Sequence, residues 1–361
     1  MSHSVPATEA PVLERLPLLD RFLPLWIGLA MTAGLVLGRL IQNLNDWLDA
    51  VKIGPVSLPI AVGLFAMMYP VLAKVDYRNL RSVTSDRKLV ATSLVFNWLV
   101  GPALMFVLAW WLLADYPEFR TGVILVGLAR CIAMVLVWND LALGHREAAA
   151  VLVALNAIFQ VLFYSVLGYF YLQILPSWLG WDTALFDVSL WEIAGIVLIF
   201  LGIPVLTGYL TRLWGEARRG KEWYERYLLP RLGRASLWGL LFTVVVLFAL
   251  QGETITTQPL TVLRIALPLF LYFVIMWGLG FITGRMQGLP YDRTVTLAFT
   301  AGSNDFELAI AVAIGVFGVT SGEALAGVVG PLIEVPVLVG LVYVALWARR
   351  RFYPTPAMER S

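Results

Sequence analysis

Cysteine and histidine are almost absent from this chain of 361 residues. Cys131 is the single cysteine, so no intrachain disulfide can form. His3 and His145 are the only histidines, which excludes a His-Glu-x-x-His zinc site, a histidine-based triad and a bis-histidine haem site. No glycine-rich phosphate loop ending in Lys-Ser or Lys-Thr occurs, which argues against direct ATP drive by this chain. These absences predict a protein that is not an enzyme and has no cofactor.

Charged residues are also scarce, at 14% of the chain, whereas 60% of the residues are hydrophobic. An ordinary soluble domain has roughly a quarter charged residues. The net charge of +2 is small and its basic residues are dispersed, so nucleic acid is not an expected partner. Lipid, rather than a water-soluble core, is the predicted surrounding of most side chains.

Apolar runs long enough to cross a bilayer recur along the whole sequence, since a membrane-spanning helix needs about 17 to 25 residues. The pattern predicts an all-α integral membrane protein with ten transmembrane helices in one domain, residues 1–361. The predicted spans are Leu23–Ile41, Ser57–Val75, Leu89–Leu113, Thr121–Ala142, Ala148–Leu172, Trp191–Thr211, Ser236–Gln251, Leu260–Thr283, Thr294–Gly318 and Ala324–Ala348. The longest polar connection, Arg212–Arg234, is too short to be a separate domain.

Lysine and arginine are distributed unevenly between the two sets of loops. With both termini in the cytoplasm, the outer side receives only Arg39, Lys52, Arg120 and Arg264. Short cytoplasmic loops are enriched in positive charge, so this bias supports both the helix count and the orientation. We expect a multi-pass protein of the cell membrane with both termini inside.

The chain contains a diverged repeat of about 170 to 176 residues. The segment Leu35–Leu40 resembles Val205–Leu210, and Arg146–Val151 resembles Gly322–Gly327. Five helices per half predict two repeats of inverted topology, approximately residues 20–173 and 188–349, as in secondary transporters. A spacing of 176 residues places Cys131 opposite Glu307.

Two predicted spans carry polar residues near the middle of the membrane. Thr121–Ala142 contains Arg130 and Cys131, and Thr294–Gly318 contains the run Ala301–Glu307. A charge at this depth costs roughly 3 kcal/mol, so such residues face a polar cavity and serve function. We interpret both spans as broken helices that meet at a central site. Two other interpretations stay open here: a structural ion pair between Arg130 and Glu307, and an inert, small apolar role for Cys131.

Three further polar residues fall inside predicted spans. Asn97 and Asn156 fit equally well as ligands and as hydrogen-bonding links between helices. Glu334 lies between Pro331 and Pro336, where a carboxylate must be protonated, paired or part of a proton path.

Three long segments make the sequence recognisable: Ala129–Ala142, Ala301–Ile314 and Gly330–Leu338. They resemble the arsenite efflux permeases, part of the group of bile acid, arsenite and riboflavin transporters. The resemblance covers essentially the whole chain. It implies a core and a panel domain, with the fourth and ninth helices broken where they cross. It also implies export of trivalent arsenic, often also antimony, usually by proton antiport.

The resemblance maps the family's essential cysteine onto Cys131 and its essential glutamate onto Glu307. Asp305 departs from the second asparagine that the family favours after Asn304. Thiolate is the softest ligand among side chains and suits trivalent arsenic, so Cys131 is the predicted metalloid ligand. The predicted substrate residues are Cys131, Glu307, Ser303, Asn304, Arg130, Asn97 and Asn156, and the predicted proton-coupling residues are Glu307, Glu334 and Asp305.

Rival functions use the same fold or another class. A sodium-coupled organic-anion symporter is the nearest alternative, although the lone cysteine preceded by arginine argues against it. A receptor or scaffold that binds a ligand without moving it is disfavoured by the repeat and the paired broken spans. The expected partners are arsenite or antimonite, protons and the lipid bilayer, and the sequence leaves open a homo-oligomer and an accessory ATPase.

Overall fold

The computed structural model describes residues 23–41, 52–53, 56–75, 86–181, 189–257 and 259–353. Helices make up almost all of these residues. The exception to the all-helical expectation is an antiparallel ladder of two residues per strand, in which Lys52–Ile53 (β1) pairs with Val56–Ser57 (β2). Basic residues that contribute to the predicted charge bias and lie outside the described residues are Arg15, Arg21, Arg78, Arg81 and Arg360.

The helices are numbered in chain order. They are α1 Leu23–Leu40, α2 Leu58–Lys74, α3 Arg87–Leu112, α4 Pro117–Leu128, α5 Met134–Leu141, α6 Arg146–Trp178, α7 Leu190–Arg219, α8 (Lys221–Trp223, a π turn, then Leu229–Thr257), α9 Pro259–Met286, α10 Tyr291–Ala301, α11 Phe306–Phe317 and α12 Gly322–Phe352. Within the described ranges, six of them (α3, α6, α7, α8, α9 and α12) are long and apolar enough to cross a membrane. Shorter apolar helices accompany them, so the chain is a multi-pass membrane protein.

Four of the long helices contain a π turn, and a proline follows each turn at the second position. The turns are Phe96–Val100, Phe170–Ile174, Leu198–Gly202 and Tyr224–Leu228, and the prolines are Pro102, Pro176, Pro204 and Pro230. Proline has no N–H to donate and its ring collides with the carbonyl four residues earlier. Widening the helix before the proline accommodates that carbonyl, so each helix continues instead of ending.

The structure corrects the prediction of a polar loop between Arg212 and Arg234. Helix α7 continues to Arg219 and α8 begins at Lys221, so Gly220 alone separates two helices. Gly220 has a φ of 84°, a left-handed conformation that glycine adopts without steric cost. Charged residues ended the predicted spans because hydropathy detects the membrane boundary, whereas a helix extends into water beyond it.

The helices pack in two groups. In the first group, α1 and α2 both pack on α8, and α2 also packs on the C-terminal half of α7. The second group comprises α3 to α6 and α9 to α12. A narrow apolar cavity of about 20 Å³ lies between the groups, where Ile27 and Met31 of α1 approach Ile310 of α11 and Val328 of α12.

Glycines set the close approaches within the first group. A Cβ added to Gly34 of α1 would lie 2.5 Å from the carbonyl oxygen of Val245 in α8. A Cβ added to Gly208 of α7 would lie 2.9 Å from the backbone nitrogen of Ala73 in α2. Helices in lipid associate largely by such backbone contact, because no hydrophobic force drives them together.

Candidate substrate site at a helix crossing

Two interrupted helices meet inside the second group. Helix α4 ends at Leu128 and α5 begins at Met134, while α10 ends at Ala301 and α11 begins at Phe306. Both interruptions lie within the two spans for which the sequence predicted broken helices. Glycine, serine and asparagine near the second interruption are poor helix formers and favour the break. Extended backbone at membrane depth requires new hydrogen-bond partners, because lipid supplies none.

The two extended stretches supply those partners to each other. Arg130 and Asn304 face each other in an antiparallel bridge. The Cys131 N–H donates to the Ser303 carbonyl over 3.4 Å, and the Asp305 N–H donates to the Ala129 carbonyl over 3.2 Å. The crossing is therefore a short piece of antiparallel sheet between residues 174 positions apart. This spacing corrects the predicted register of 176, since it makes Asp305, rather than Glu307, the counterpart of Cys131.

Asn304 and Ser303 use their side chains to hold the backbone. Asn304 Nδ2 donates to the carbonyls of Val126, at 2.7 Å, and Ala129, at 2.9 Å. These carbonyls lie at the end of α4, where helical donors have run out. Ser303 Oγ donates to the Phe299 carbonyl over 2.7 Å. The structure thus places both predicted ligands at the crossing, with their donor groups already engaged.

The Cys131 thiol lies at the start of α5 and is 4% exposed. Its sulfur accepts a hydrogen bond from the Val135 N–H over 3.3 Å. The carboxyl groups of Asp305, Glu307 and Glu334 are all close enough to the sulfur for their charges to act on it. The crossing therefore brings together the predicted metalloid ligand and all three predicted proton-coupling residues.

The three carboxyl groups have different attachments. Asp305 caps α11, because its Oδ1 accepts from the Leu308 N–H over 3.0 Å. Glu334, on α12, is 5% exposed and accepts from the Asn304 N–H over 3.3 Å. Glu307 is half-buried in the first turn of α11. Of the three, Asp305 and Glu334 also hold backbone groups in place, and aspartate is a favoured helix cap.

Arg130 is completely buried and contacts no carboxylate. Its Nη1 donates to the Tyr272 hydroxyl over 2.6 Å and its Nη2 donates to the Gly127 carbonyl. Among the residues that the structure describes, no Asp or Glu oxygen lies within ion-pair distance of it, so the interpretation of an Arg130–Glu307 ion pair is wrong for this structure. Tyr272 was missed by the sequence analysis, since a tyrosine in an apolar helix carries no signal of a buried cation.

Gly101 provides the room for the Arg130–Tyr272 contact. A Cβ at this position would lie 2.7 Å from Arg130 Nη1 and 2.8 Å from the Tyr272 hydroxyl. Any other L-residue at position 101 would force one of the two side chains to move.

Asn97 and Asn156 form a separate polar contact between α3 and α6. Asn97 Nδ2 donates to Asn156 Oδ1 over 3.3 Å and to Ser93 Oγ over 3.1 Å. Both asparagines are buried, and neither hydrogen-bonds to Cys131 within the described residues. Their contacts fit the interpretation as a link between helices, one turn away from the crossing.

No cluster of three or more His, Cys, Asp or Glu side chains with metal-binding geometry occurs in the part of the chain that the structure describes. Cys131 stands as the only soft ligand, next to hard oxygen donors. A single thiol forms one bond to a soft ion, so the site suits a metalloid that binds and leaves.

Comparison with known proteins agrees with this geometry. Residues 61–258 match the Sodium Bile acid symporter family. The arsenical-resistance protein Acr3 of Corynebacterium glutamicum is 52% identical over 365 residues, covering 100% of this chain and 98% of that protein. The chain belongs to the arsenical-resistance protein family.

More distant relatives align over nearly the same length. The arsenical-resistance protein Acr3 of Alkaliphilus metalliredigens is 31% identical over 350 residues, which cover 94% of this chain and 95% of that protein. An uncharacterized transporter of Synechocystis sp. is 34% identical over 358 residues, covering 93% and 91%. The resemblance to arsenite permeases noted from the sequence is confirmed at the level of the family, and the crossing at Arg130 and Asn304 lies within its aligned length.

Proposed function

We propose that this chain is a secondary active exporter of trivalent arsenic across the cell membrane. The observation that carries the proposal is the buried Cys131 thiol at the crossing of two interrupted helices, next to three carboxyl groups. The names of the relatives in Corynebacterium and Alkaliphilus support it. Antimonite, which has the same soft character, is included as a second substrate.

The binding step follows from the chemistry of arsenite, an uncharged trihydroxide at neutral pH. The Cys131 sulfur bonds to arsenic, the thiol proton passes to one hydroxide, and that hydroxide leaves as water. One sulfur–arsenic bond replaces one oxygen–arsenic bond, so charge and atoms balance. A neighbouring carboxyl group such as Glu307 carries the proton between the two. Because one thiol makes one such bond, the reverse reaction with water releases arsenite.

A neutral solute gains nothing from the membrane potential, so export against a gradient requires a coupled ion. One proton entering across 100 mV supplies about 2.3 kcal/mol, enough for a gradient of roughly 50-fold. We assign Glu307 as the proton carrier, assisted by Glu334 or Asp305. Glu307 is the least constrained of the three, since Asp305 and Glu334 also hold backbone N–H groups. Proton uptake from outside and arsenite binding from inside then compete at one site.

The proposed architecture has ten transmembrane helices in two inverted repeats of five, approximately residues 20–173 and 188–349, with both termini in the cytoplasm. Two glycine contacts support the repeat. Gly38 brings α1 onto α8 at Ala249, and Gly208 brings α7 onto α2 at Ala73. The first pair of helices relates to the second as an inverted repeat requires. The first packing group corresponds to a panel domain and the second to a core domain, and alternating access moves one against the other.

Uptake of radiolabelled arsenite into everted membrane vesicles tests the proposal. A proton gradient, acid inside, is imposed, and uptake is compared with and without a protonophore. We expect accumulation that the protonophore abolishes and that a Cys131→Ser chain does not show. Accumulation that needs sodium instead of protons would contradict proton coupling.

A sodium-coupled organic-anion symporter is the second candidate, favoured by the match of residues 61–258 to the Sodium Bile acid symporter family. The lone thiol beside Arg130 has no use in carrying an organic anion. Sodium-dependent uptake of a bile acid into right-side-out vesicles, without an effect of Cys131→Ser, would favour this alternative.

A further inference from the structure

Gln160 lies on α6, is completely buried and reaches the first interruption. Its Oε1 accepts a hydrogen bond from the Arg130 N–H over 2.7 Å. The sequence analysis gave Gln160 no place among the site residues, and the binding and coupling steps above do not use it.

The geometry of the crossing explains why Arg130 requires this acceptor. In the antiparallel bridge, the residues on either side of Arg130 exchange the hydrogen bonds, at Cys131 and Ala129. Arg130 and Asn304 are therefore a non-hydrogen-bonded pair, and their own N–H groups point away from each other. Each of these two N–H groups needs a partner elsewhere, because a buried, unpaired N–H is costly.

The second stretch meets the same need in the same way. The Asn304 N–H donates to Glu334 Oε1 over 3.3 Å, and Glu334 is 30 residues further along the chain. Gln160 is likewise 30 residues beyond Arg130. Each central residue of the crossing is thus held by the side-chain oxygen of a helix from its own half of the chain. In one half that oxygen belongs to an amide, and in the other to a carboxyl group.

We infer that Gln160 is a positioning residue that sets where the Cys131 sulfur lies. The bond to Gln160 holds the peptide unit immediately before Cys131, and the sulfur is the side chain that follows. The pair also shows that an amide oxygen suffices to hold the bridge, because Gln160 does so at the position equivalent to Glu334. Only the arsenite-binding consequence of this inference rests on the proposed function.

The test uses Cys131 as its own reporter, since it is the single thiol in the chain. The rate at which N-ethylmaleimide labels Cys131 is measured in native membranes by mass spectrometry, with and without arsenite. Gln160→Leu removes the acceptor, and Gln160→Glu keeps an acceptor oxygen at the same distance along the side chain. Gln251→Leu is the matched control, because Gln251 is a buried glutamine that bonds to the Val319 carbonyl, far from the crossing in sequence.

For Gln160→Leu we expect a labelling rate changed at least about fivefold and an arsenite concentration for half-protection raised about tenfold, as for one lost buried hydrogen bond. Gln160→Glu should lie within about twofold of the unmodified chain, and so should Gln251→Leu. A role in folding alone would lower the amount of inserted protein without this separation between the leucine and glutamate variants. If Gln160→Leu does not insert, Gln160→Asn replaces it, because asparagine stays polar and is one methylene too short to reach Arg130.

Unchanged labelling and unchanged protection in Gln160→Leu, or in Gln160→Asn in its place, would overturn the inference. If arsenite fails to protect the unmodified chain, the proposed function fails instead. The labelling rates without arsenite still decide the role of Gln160 in that case, so the two failures are distinguishable.

Discussion

The two interruptions at the crossing have the same backbone role and different chemistry. In the first, Cys131 offers a sulfur to the Val135 N–H at the start of α5. In the second, Asp305 offers an oxygen to the Leu308 N–H at the start of α11. One stretch thus presents a soft ligand next to a buried cation, and the other presents hard, titratable oxygens. A duplicated backbone has been given two separate tasks, which we assign to substrate binding and to coupling.

The largest expected effect comes from removing the soft ligand. Serine at position 131 retains an acceptor for the Val135 N–H, so Cys131→Ser should insert at a normal level. Oxygen cannot replace sulfur as a soft ligand, so we expect arsenite uptake into everted vesicles to fall by about a hundredfold or more. Asp305→Asn, the corresponding change in the second stretch, serves as the comparison and should retain arsenite binding. Near-normal uptake by Cys131→Ser would remove the thiol from the mechanism.

Next in size is the loss of coupling in Glu307→Gln. Glutamine keeps the shape of the side chain and removes its titration. We expect a normal amount of inserted protein, no proton-driven accumulation, and retained exchange of labelled for unlabelled arsenite. If Glu307 were instead half of a buried ion pair, the change would destabilise the protein by about 3 to 5 kcal/mol and reduce the inserted amount. Protonophore-sensitive accumulation at a normal rate in this variant would move the coupling role to Glu334.

A smaller effect on stability is expected around the buried cation of the first stretch. Gly101→Ala places a methyl group against Arg130 and Tyr272, and we expect a loss of about 1 to 3 kcal/mol. Gly278→Ala on α9 is the matched control, because no atom lies within 4 Å of its added Cβ. Alanine in an open helical position should be neutral or stabilising by up to about 1 kcal/mol. Thermal unfolding in detergent measures both, and equal melting temperatures for the two variants would count against the packing argument.

The smallest effect tests what Asp305 contributes as a helix cap. Asp305→Ala removes the acceptor for the Leu308 N–H and should cost about 1 kcal/mol of stability. Asp305→Asn keeps a capping oxygen and should melt close to the unmodified protein. Comparing the two melting temperatures separates the cap from the charge. A large loss of stability in the asparagine variant would mean that the carboxylate charge, and not the cap, holds the second stretch.

Some parts of the site could be predicted because their signals are local. A polar run inside an apolar span gives its own position away, which is how residues 130–131 and 301–307 were found. The partner of Arg130 was not predictable in this way. Glu307 was the nearest opposite charge in the sequence argument, yet the guanidinium bonds to Tyr272, 142 residues away. That choice depends on which helices become neighbours and on the space left by Gly101.

The register between the halves shows the same limit. Weak matches such as Arg146–Val151 with Gly322–Gly327 gave a spacing of 176 residues, whereas the hydrogen bonds across the crossing give 174. Short sequence matches locate the ends of corresponding helices, but a shift of two residues changes no hydropathy. It does change which side chain opposes Cys131, so the difference matters only in three dimensions.

The sequence by itself determined that this is a multi-pass helical membrane protein of the arsenical-resistance family with one available thiol. Hydropathy and residue content depend on each segment alone, so no contact between segments is needed to detect them. Only the tertiary structure decided that Gln160 and Glu334 hold the two strands of the crossing, that Arg130 has a tyrosine partner, and that three carboxyl groups surround one sulfur. Those relations join residues that are far apart in the chain, and they arise because extended backbone buried in a membrane must find its hydrogen-bond partners within the protein.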